Sequence, residues 1–347
     1  MVCYTQLMHS TLPLKYVWLS LALLLLSLLL GLSFGAFNAS VGDSLRALVS
    51  KVGNLRVGVP TEGLTVDRDL ADLMLYIRLP RVLGAALIGA ALAAAGSSFQ
   101  AMFRNPLVSP DILGVSSGAA LGAVIAMLMQ LDSTLIQIFA FAAGLATVFI
   151  VSALGASSQK MPLLLAGVVI SALMAAMVSA VQVLAPSSSV LPGIVFWLLG
   201  SLGNLTLLQV LLLFIAYCLG LAILLAQSTH IDKCSLGDTT AQTLGVNLQS
   251  TRLWVIIAAT LMTASTVAVA GIIGWVGLVV PHITRRTIGA SMKANLIIGS
   301  LFGAAFMALM DTVSRSLFVI EIPIGIVTAV IGVPIFLIAI LRSKHNV

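Results

Sequence analysis

The chain consists of long apolar runs separated by short polar segments. Residues 16–34, 82–99 and 207–226 are runs that contain no charged residue. An α-helix rises about 1.5 Å per residue, so about 20 apolar residues cross the hydrocarbon core of a bilayer. Strands of a membrane barrel would instead alternate apolar and polar residues over about 10 positions. The pattern therefore predicts an all-α integral membrane protein, a bundle of about ten transmembrane helices. We place the spans near residues 15–37, 80–103, 114–131, 134–156, 161–185, 205–227, 253–273, 275–290, 294–315 and 324–342.

Two segments differ from ordinary spans. A short helix is predicted near residues 191–202, before the sixth span. The eighth candidate span contains GIIGWVGLVVPH at residues 271–282, which is short and rich in glycine. Two interpretations stay open: a broken helix that lines a cavity or is covered by protein, and a plain kinked helix.

Composition agrees with a chain embedded in lipid. Of its 347 residues, 60% are hydrophobic and only 8% are charged, and the mean hydropathy is +1.16. A soluble domain of this size needs roughly a quarter of its residues charged. The outer surface must therefore face lipid, where only helices or closed barrels satisfy the backbone hydrogen bonds.

Basic residues predict the orientation. With the N-terminus inside, ten of the 17 Lys and Arg lie on the inner side, and six of the outer seven lie in or beside one long loop. Among short loops the inward bias is strong, so we predict that both termini are cytoplasmic. The net charge of +6 does not indicate nucleic acid as a partner, because the basic residues are scattered singly between apolar segments.

An internal repeat is also predicted. Arg81 to Pro110 and Arg252 to Pro281 are both intervals of 29 residues, and each proline ends a Leu-Val-x-Pro run. Five spans separate the two starts, so the repeat would be inverted in the membrane, as in many transporters. We therefore predict one permease domain over residues 1–347 with pseudo-repeats at about 78–190 and 250–342.

No catalytic, metal or nucleotide motif is convincing. GVSSG at residues 114–118 fits the G-x-S-x-G nucleophile pattern, but it opens a membrane helix instead of a strand–turn–helix unit. We interpret Gly114, Gly118 and Gly122 as a ladder of small residues that lets helices approach closely.

The cysteines and histidines do not indicate a metal site. The three cysteines have no paired spacing, and the four histidines lie far apart without an H-E-x-x-H pattern. No phosphate-binding G-x-x-x-x-G-K-[ST] loop occurs in the sequence. We predict no catalytic residue, no metal and no cofactor in this chain, so that ATP and Mg²⁺, if transport is ATP-driven, bind a separate subunit.

The longest cytoplasmic segment is predicted between spans six and seven, at residues 228–252. Within it, LGDTTAQTLGVNL at residues 236–248 predicts a two-turn helix with Asp238 as N-cap and Gly245 as C-terminal stop. Ala241 and Leu244 share one face, which would have to be buried against lipid or a partner protein. A generic solvated loop is the alternative.

Five motifs resemble, in order, the permease subunits of type II ABC importers, the FecCD-type family that takes up ferric siderophores, haem, cobalamin and some oxyanions. They are IRLPR at 77–81, RNPLVSPDILGVSSGA at 104–119, LGDTTAQTLGV at 236–246, GWVGLVVPHITRR at 274–286 and EIPIGIVTAVIGVPIF at 321–336. The resemblance covers residues 43–341. It implies ten spans per subunit and two permease subunits, identical or paralogous, around a central path. It also implies two ATP-binding subunits below and a soluble or lipid-anchored substrate-binding protein above, in the bacterial cytoplasmic membrane.

The resemblance also implies roles for individual residues. The coupling helix that seats in the ATPase would include Leu236, Gly237, Asp238, Ala241, Leu244 and Gly245. On the outer side, Arg78, Arg81 and Arg315 would dock the binding protein, and the alternative is interfacial snorkelling. The translocation path would be lined by Met174, Met177, Ser179 and Gln182. An equally good alternative is that the methionines only fill space in the packing of the helices.

The remaining motif residues are predicted to be architectural. Prolines would break or turn helices, and glycines would permit close packing. For Asp311 we favour an i, i+4 pair with Arg315 over a proton relay. The structural set is Arg104, Asn105, Pro106, Pro110, Gly114, Gly274, Gly277, Pro281, Asp311, Pro323 and Gly325.

The sequence therefore predicts the permease subunit of an ATP-driven importer of a metal chelate, with a ferric siderophore as the first candidate. Haem, cobalamin and molybdate or tungstate fit the same importer class. A more distant alternative is an ion-coupled secondary transporter, which usually carries intramembrane carboxylates. Apart from Asp311 near a span end, the predicted spans contain no such carboxylate.

Overall fold

The computed structural model describes residues 13–35, 42, 71–155, 160–317 and 320–344. Within these ranges it contains twelve α-helices and no strand. Most of the long outer loop on which the orientation prediction partly rests lies outside the described residues. A π-helical turn at Leu73–Arg78 precedes α2, and a 3₁₀ turn at Pro110–Leu113 precedes α3. The helices are α1 Leu14–Ser33, α2 Leu79–Phe103, α3 Val115–Leu128, α4 Ser133–Leu154, α5 Lys160–Leu184, α6 Val190–Leu198, α7 Leu207–Ser235, α8 Asp238–Thr243, α9 Leu248–Ala270, α10 Val276–Ile288, α11 Met292–Ser316 and α12 Ile324–Lys344.

Eight of the described helices are long and apolar enough to cross a membrane. The other two predicted spans correspond to α3 and α10, which have only 14 and 13 residues. The all-helical membrane architecture is therefore confirmed, and the predicted count of about ten includes two helices shorter than a full span.

Helix α2 forms the centre of the bundle. Its most apolar stretch is 83% buried, whereas that of α5 is only 11% buried. Glycines allow neighbouring backbones to reach α2: a Cβ at Gly89 would lie 2.1 Å from the Gly303 carbonyl oxygen of α11, and one at Gly96 would lie 1.8 Å from the Gly277 carbonyl oxygen of α10. Such contacts are possible only between residues without side chains, which is how membrane helices pack closely.

The segment between α9 and α10 is a helix break. Residues 271–274 are not helical, and α10 begins at Val276, so the broken-helix interpretation is correct. Pro281, which was predicted to break or turn a helix, lies inside α10. Because proline has no N–H, the Gly277 carbonyl makes no helical bond with it and can lie against Gly96.

The break is joined by hydrogen bonds to two other chain ends. The Ser201 N–H donates to the Ala270 carbonyl at 2.9 Å, which connects the segment after α6 to the end of α9. The Ile324 and Gly325 N–H groups of α12 donate to the Gly200 and Leu199 carbonyls, both at 3.1 Å. We call this three-way contact the junction. It satisfies non-helical backbone groups inside the protein, as membrane depth requires.

Candidate functional site

The segment predicted to couple to an ATPase is a small helical projection at one end of the bundle, which we call the α8 end. The segment at residues 228–252, predicted as a loop, is largely helical, because α7 continues through Ser235 and α9 begins at Leu248; its cytoplasmic location stays a prediction. Polar residues such as Asp232 and Lys233 mark the end of an apolar run, but they do not stop a helix. The non-helical segments on either side of α8 are therefore much shorter than predicted, and they attach α8 closely to two long helices.

Asp238 does not cap α8 as predicted. Gly237 is the N-cap, with φ +123°, and Asp238 is the first helical residue. Its carboxylate instead accepts a hydrogen bond from Arg252 Nη2 at 2.6 Å and lies 3.9 Å from Arg104 Nη2. Two guanidinium groups are stronger partners for a carboxylate than backbone amides, so Asp238 ties α8 to the start of α9 and the end of α2.

Gly245 is the C-terminal stop of α8, as predicted. It has φ +78°, its N–H donates to the Gln242 carbonyl at 2.9 Å, and the Val246 N–H donates to the Ala241 carbonyl at 3.0 Å. This is the Schellman-type ending that a glycine in the left-handed region allows.

The buried face of α8 packs on its own chain. Ala241 is fully buried in a small cluster with Cys234, Val246 and Leu248, so the prediction that lipid or a partner covers Ala241 is wrong. Leu244 is half-buried, and its carbonyl accepts a hydrogen bond from Lys233 Nζ at 3.5 Å.

The surface left for a partner is therefore the outer face of the projection. The exposed apolar side chain there is Leu236, which is 43% exposed. The other exposed residues of this face are Thr239, Thr240, Gln242, Thr243 and Gly245.

A buried ion-pair cluster lies at the opposite end of the bundle. Arg81 Nε donates to Asp311 Oδ1 at 2.8 Å, and its two terminal nitrogens donate to the two oxygens of Glu321 at 2.5 and 3.0 Å. The predicted i, i+4 contact is also present, since Arg315 Nε lies 3.3 Å from Asp311 Oδ2. Asp311 is completely buried, so its charge depends on these two arginines.

Two arginines of this region also hold the end of α1. Arg78 Nη1 donates to the Leu32 and Ser33 carbonyls at 2.7 and 3.3 Å, and Arg315 Nη2 donates to the Gly31 carbonyl. The last carbonyls of a helix lack partners within the helix and carry partial negative charge. Because α1 has no basic residue in its own last turn, Arg78 of the π-helical turn before α2 and Arg315 of α11 supply the positive charge.

Arg78, Arg81 and Arg315 are only 4%, 7% and 9% exposed. In the single chain they are therefore buried and engaged internally, and do not project at a rim. Docking of a partner by these residues stays a prediction. The side chain of Glu321 is 39% exposed, and the sequence motif that contains Glu321 predicts no role for it. An acid directly before an apolar span was the available signal, since a carboxylate at that depth needs a cation.

The predicted path residues lie on α5, the least buried of the long helices. Met177 and Ser179 are exposed, whereas Met174 and Gln182 are half-buried. The Ser179 hydroxyl donates to the Ala175 carbonyl within the same helix. A path along this face stays a prediction.

The other motif residues shape turns. Arg104 ends α2 in the left-handed region at φ +53°, and Asn105 Oδ1 accepts the Leu107 N–H at 2.9 Å. Pro106 lies in the turn that follows, and Pro110 opens the 3₁₀ turn. Pro323 directly precedes α12.

The structure agrees with most of the close packing predicted for glycines. In the Gly114–Gly118–Gly122 ladder, a Cβ at Gly118 would lie 2.0 Å from Thr147 Oγ1 of α4. A Cβ at Gly325 would lie 2.5 Å from the Leu199 carbonyl oxygen. At Gly274 an added Cβ would meet no described atom within 4 Å, so its predicted packing role is wrong.

Among the described residues, no group of three or more His, Cys, Asp or Glu side chains could hold a metal ion.

Comparisons with known proteins agree with the motif-based resemblance. The family model described as the FecCD transport family matches residues 23–342. The chain is 36% identical over 328 residues to the molybdate import system permease protein MolB of Haemophilus influenzae, covering 93% of this chain and 94% of the relative. It is 35% identical over 295 residues to the Fe(3+) dicitrate transport system permease protein FecD of Escherichia coli, covering 83% and 92% of the two chains. A solved structure described as an inward-facing metal-chelate type ABC transporter aligns with a TM-score of 0.83 and 33% identity, covering 94% of this chain and 99% of that one.

Proposed function

Because this chain belongs to the FecCD transport family, we propose that it is the membrane permease subunit of an ATP-driven ABC importer. The observation that carries the proposal is the α8 projection. It is fixed by the Asp238–Arg252 ion pair and by the buried Ala241, and it presents Leu236 and a polar face outward. A rigid projection of this kind can transmit the movement of a bound subunit to the long helices α7 and α9.

The proposed complex has two permease subunits, identical or paralogous, and two ATP-binding subunits that contact α8 and hold ATP and Mg²⁺. A substrate-binding protein delivers cargo at the opposite end, near the Arg81 cluster. We place the complex in a bacterial cytoplasmic membrane with both termini and α8 inside. The permease itself performs no covalent chemistry: ATP binding and hydrolysis move the α8 helices and open the path alternately outward and inward.

The exposed face of α5 supports a path shared between two permease subunits. Its most apolar stretch is 11% buried in the single chain, the lowest share among the long helices, so this face is free to contact a second permease subunit instead of lipid. Met177 and Ser179 are uncharged, which suits a bulky chelate whose charge is already neutralised by its ligand. We propose a metal chelate as cargo, with a ferric siderophore first.

Molybdate is the second candidate. It is supported by the 36% identity to a molybdate import permease, which extends over 93% of this chain, compared with 78% and 79% for the cobalamin and hemin permeases. Haem and cobalamin remain members of the same substrate class, whereas an ion-coupled secondary transporter would not need α8 to contact an ATPase.

The experiment is reconstitution of the permease with its cognate ATP-binding subunit and binding protein in proteoliposomes. Uptake of radiolabelled ferric siderophore and of radiolabelled molybdate should be measured with ATP and with a non-hydrolysable analogue. We expect that one of the two cargoes is taken up, and that its uptake occurs with ATP but not with the non-hydrolysable analogue. Uptake by the permease alone, without any ATPase, would refute the proposal.

The coupling role has its own test. Leu236→Asp places a charge on the exposed apolar residue of the projection, so co-purification of the ATPase should fall at least about tenfold. Gln249→Asp, an exposed position on the first turn of α9, is the matched control and should retain binding. Equal retention in both variants would contradict the assignment of α8.

A further inference from the structure

A cleft of about 500 Å³ opens beside α8. It lies between the end of α2, the end of α7 and the last turns of α10. Its polar lining is Gln100, Arg104, Asn105, Ser235, His282, Arg285 and Arg286, and no acidic residue is among the described lining residues. We call it the basic cleft.

The positive charge of the basic cleft is not fully balanced. Asp238 is already bonded to Arg252 at 2.6 Å and lies 3.9 Å from Arg104. The other nearby carboxylate, that of Asp232, accepts the Met292 N–H at 2.8 Å and also interacts with the charge of Arg285, so two carboxylates face the three cleft arginines and Arg252. Three arginines around one cavity therefore present donors to an anion that the described part of the chain does not supply.

The shape of the basic cleft favours a protein carboxylate over a lipid. Its apolar lining consists of Ala101, Pro106 and Ala290, which form no wall long enough for an acyl chain. Another cavity of similar size, between α1, α2, α7 and α11, is lined largely by leucines and alanines and has the apolar walls that an acyl chain needs. The two cavities differ in chemistry although they differ little in volume.

The basic cleft is also continuous with the coupling surface. Ser235 lines the cleft and directly precedes the exposed Leu236. On the other side, a Cβ at Gly237 would lie 3.6 Å from Arg104 Nη1, so the cleft and the base of α8 share a wall. A subunit seated on α8 would therefore also cover the opening of the cleft.

We propose that the basic cleft receives an Asp or Glu side chain of the ATP-binding subunit, as a second contact beside α8. This inference rests on the proposed function. Guanidinium groups bind carboxylates through paired hydrogen bonds, and complementary charge fixes the register of two surfaces. The contact would fix the rotation of the ATPase about α8, which a single short helix cannot do.

Arg285 is the residue to test. Arg104 also contacts Asp238 and Arg286 donates to the Ala339 carbonyl of α12, whereas Arg285 interacts within the chain with the charge of Asp232. Arg285→Glu reverses the charge inside the cleft, and Arg285→Gln only removes it. Lys293→Glu, an exposed residue in the first turn of α11 at the same end, is the matched charge reversal outside the cleft.

Binding of the purified permease to its cognate ATP-binding subunit should be measured in detergent, at low and high salt. We expect Arg285→Glu to weaken binding at least about tenfold and Arg285→Gln to weaken it less, with Lys293→Glu unchanged. The wild-type complex should weaken with salt more steeply than the Arg285→Gln complex. Monodisperse elution and an unchanged thermal midpoint of each variant show that the chain is folded.

Wild-type affinity and salt dependence in the folded Arg285→Glu variant would overturn the inference. If Arg285→Glu loses binding to anionic lipid vesicles but keeps its binding to the ATPase, the inference is overturned in favour of a phospholipid headgroup in the cleft. If the wild-type permease binds no ATPase at all, the proposed function itself fails. If the wild-type permease binds the ATPase and the Arg285 variants bind it equally well, only the inference about the basic cleft fails.

Discussion

The buried carboxylate of Asp311 should be the most costly single charge to remove from this chain. It is completely buried and is paired with Arg81 at 2.8 Å and with Arg315 at 3.3 Å. Asp311→Asn keeps the size of the side chain but leaves Arg81 with Glu321 alone and removes from Arg315 the carboxylate that it contacts. Removing one partner of a buried ion pair costs about 3–5 kcal/mol, because the remaining charge cannot be solvated.

Glu321→Gln is the matched comparison. It also removes a carboxylate that is paired with Arg81, but the Glu321 side chain is 39% exposed. Solvent can replace part of its contribution, so the expected cost is about 1 kcal/mol or less. The two substitutions differ in burial and in the number of arginines served, while their chemistry is identical.

The assay is unfolding in a mixed detergent system, followed by tryptophan fluorescence, with free energies extrapolated to native conditions. Asp311→Asn should lose at least about 2 kcal/mol more than Glu321→Gln. It should also loosen the end of α1, because Arg315 holds the Gly31 carbonyl. Equal losses for the two variants would refute the reasoning that burial sets the value of this cluster.

Three further substitutions test the packing and the coupling segment. Gly89→Ala would put a Cβ 2.1 Å from the Gly303 carbonyl oxygen, so it should destabilise the chain by about 3 kcal/mol or more in thermal unfolding. In Gly274→Ala the added Cβ meets no described atom within 4 Å, so the unfolding midpoint should not change. Equal unfolding midpoints for Gly89→Ala and Gly274→Ala would contradict the close packing of α2 on α11. Asp238→Asn weakens the bond from Arg252 by about 1–2 kcal/mol, so hydrogen exchange of the α8 amides should accelerate. Cargo uptake should fall more than ATP hydrolysis, and unchanged exchange would show that Asp238 does not hold α8.

The long helices could be predicted because apolar run length is a local property. The predicted span at 80–103 and the helix Leu79–Phe103 differ by one residue at the start, since a long apolar run in lipid has no other low-energy structure. The end of α7 was predicted eight residues too early, because the sequence shows where apolar residues stop and not where a helix stops. The motifs were sufficient for the family, which the comparisons confirm.

The site details depended on residues distant in sequence. Asp238 looks like an N-cap when only its neighbours are considered, but Arg252, 14 residues away, binds its carboxylate more strongly. Glu321 was missed for the same reason, as its partner Arg81 is 240 residues earlier in the chain. Local propensity decides a residue's role only where no tertiary partner competes.

The junction restricts how this protein can move. The ends of α6 and α9 and the start of α12 exchange main-chain hydrogen bonds that no side-chain substitution can replace. Losing one of them would leave a donor and an acceptor without partners in the interior of the protein, so we expect these three ends to move together as one unit. A conformational change that opens one side of the protein and closes the other must therefore bend the chain at other positions. Substitutions at these three ends are tolerated only if they preserve the main-chain hydrogen bonds between them.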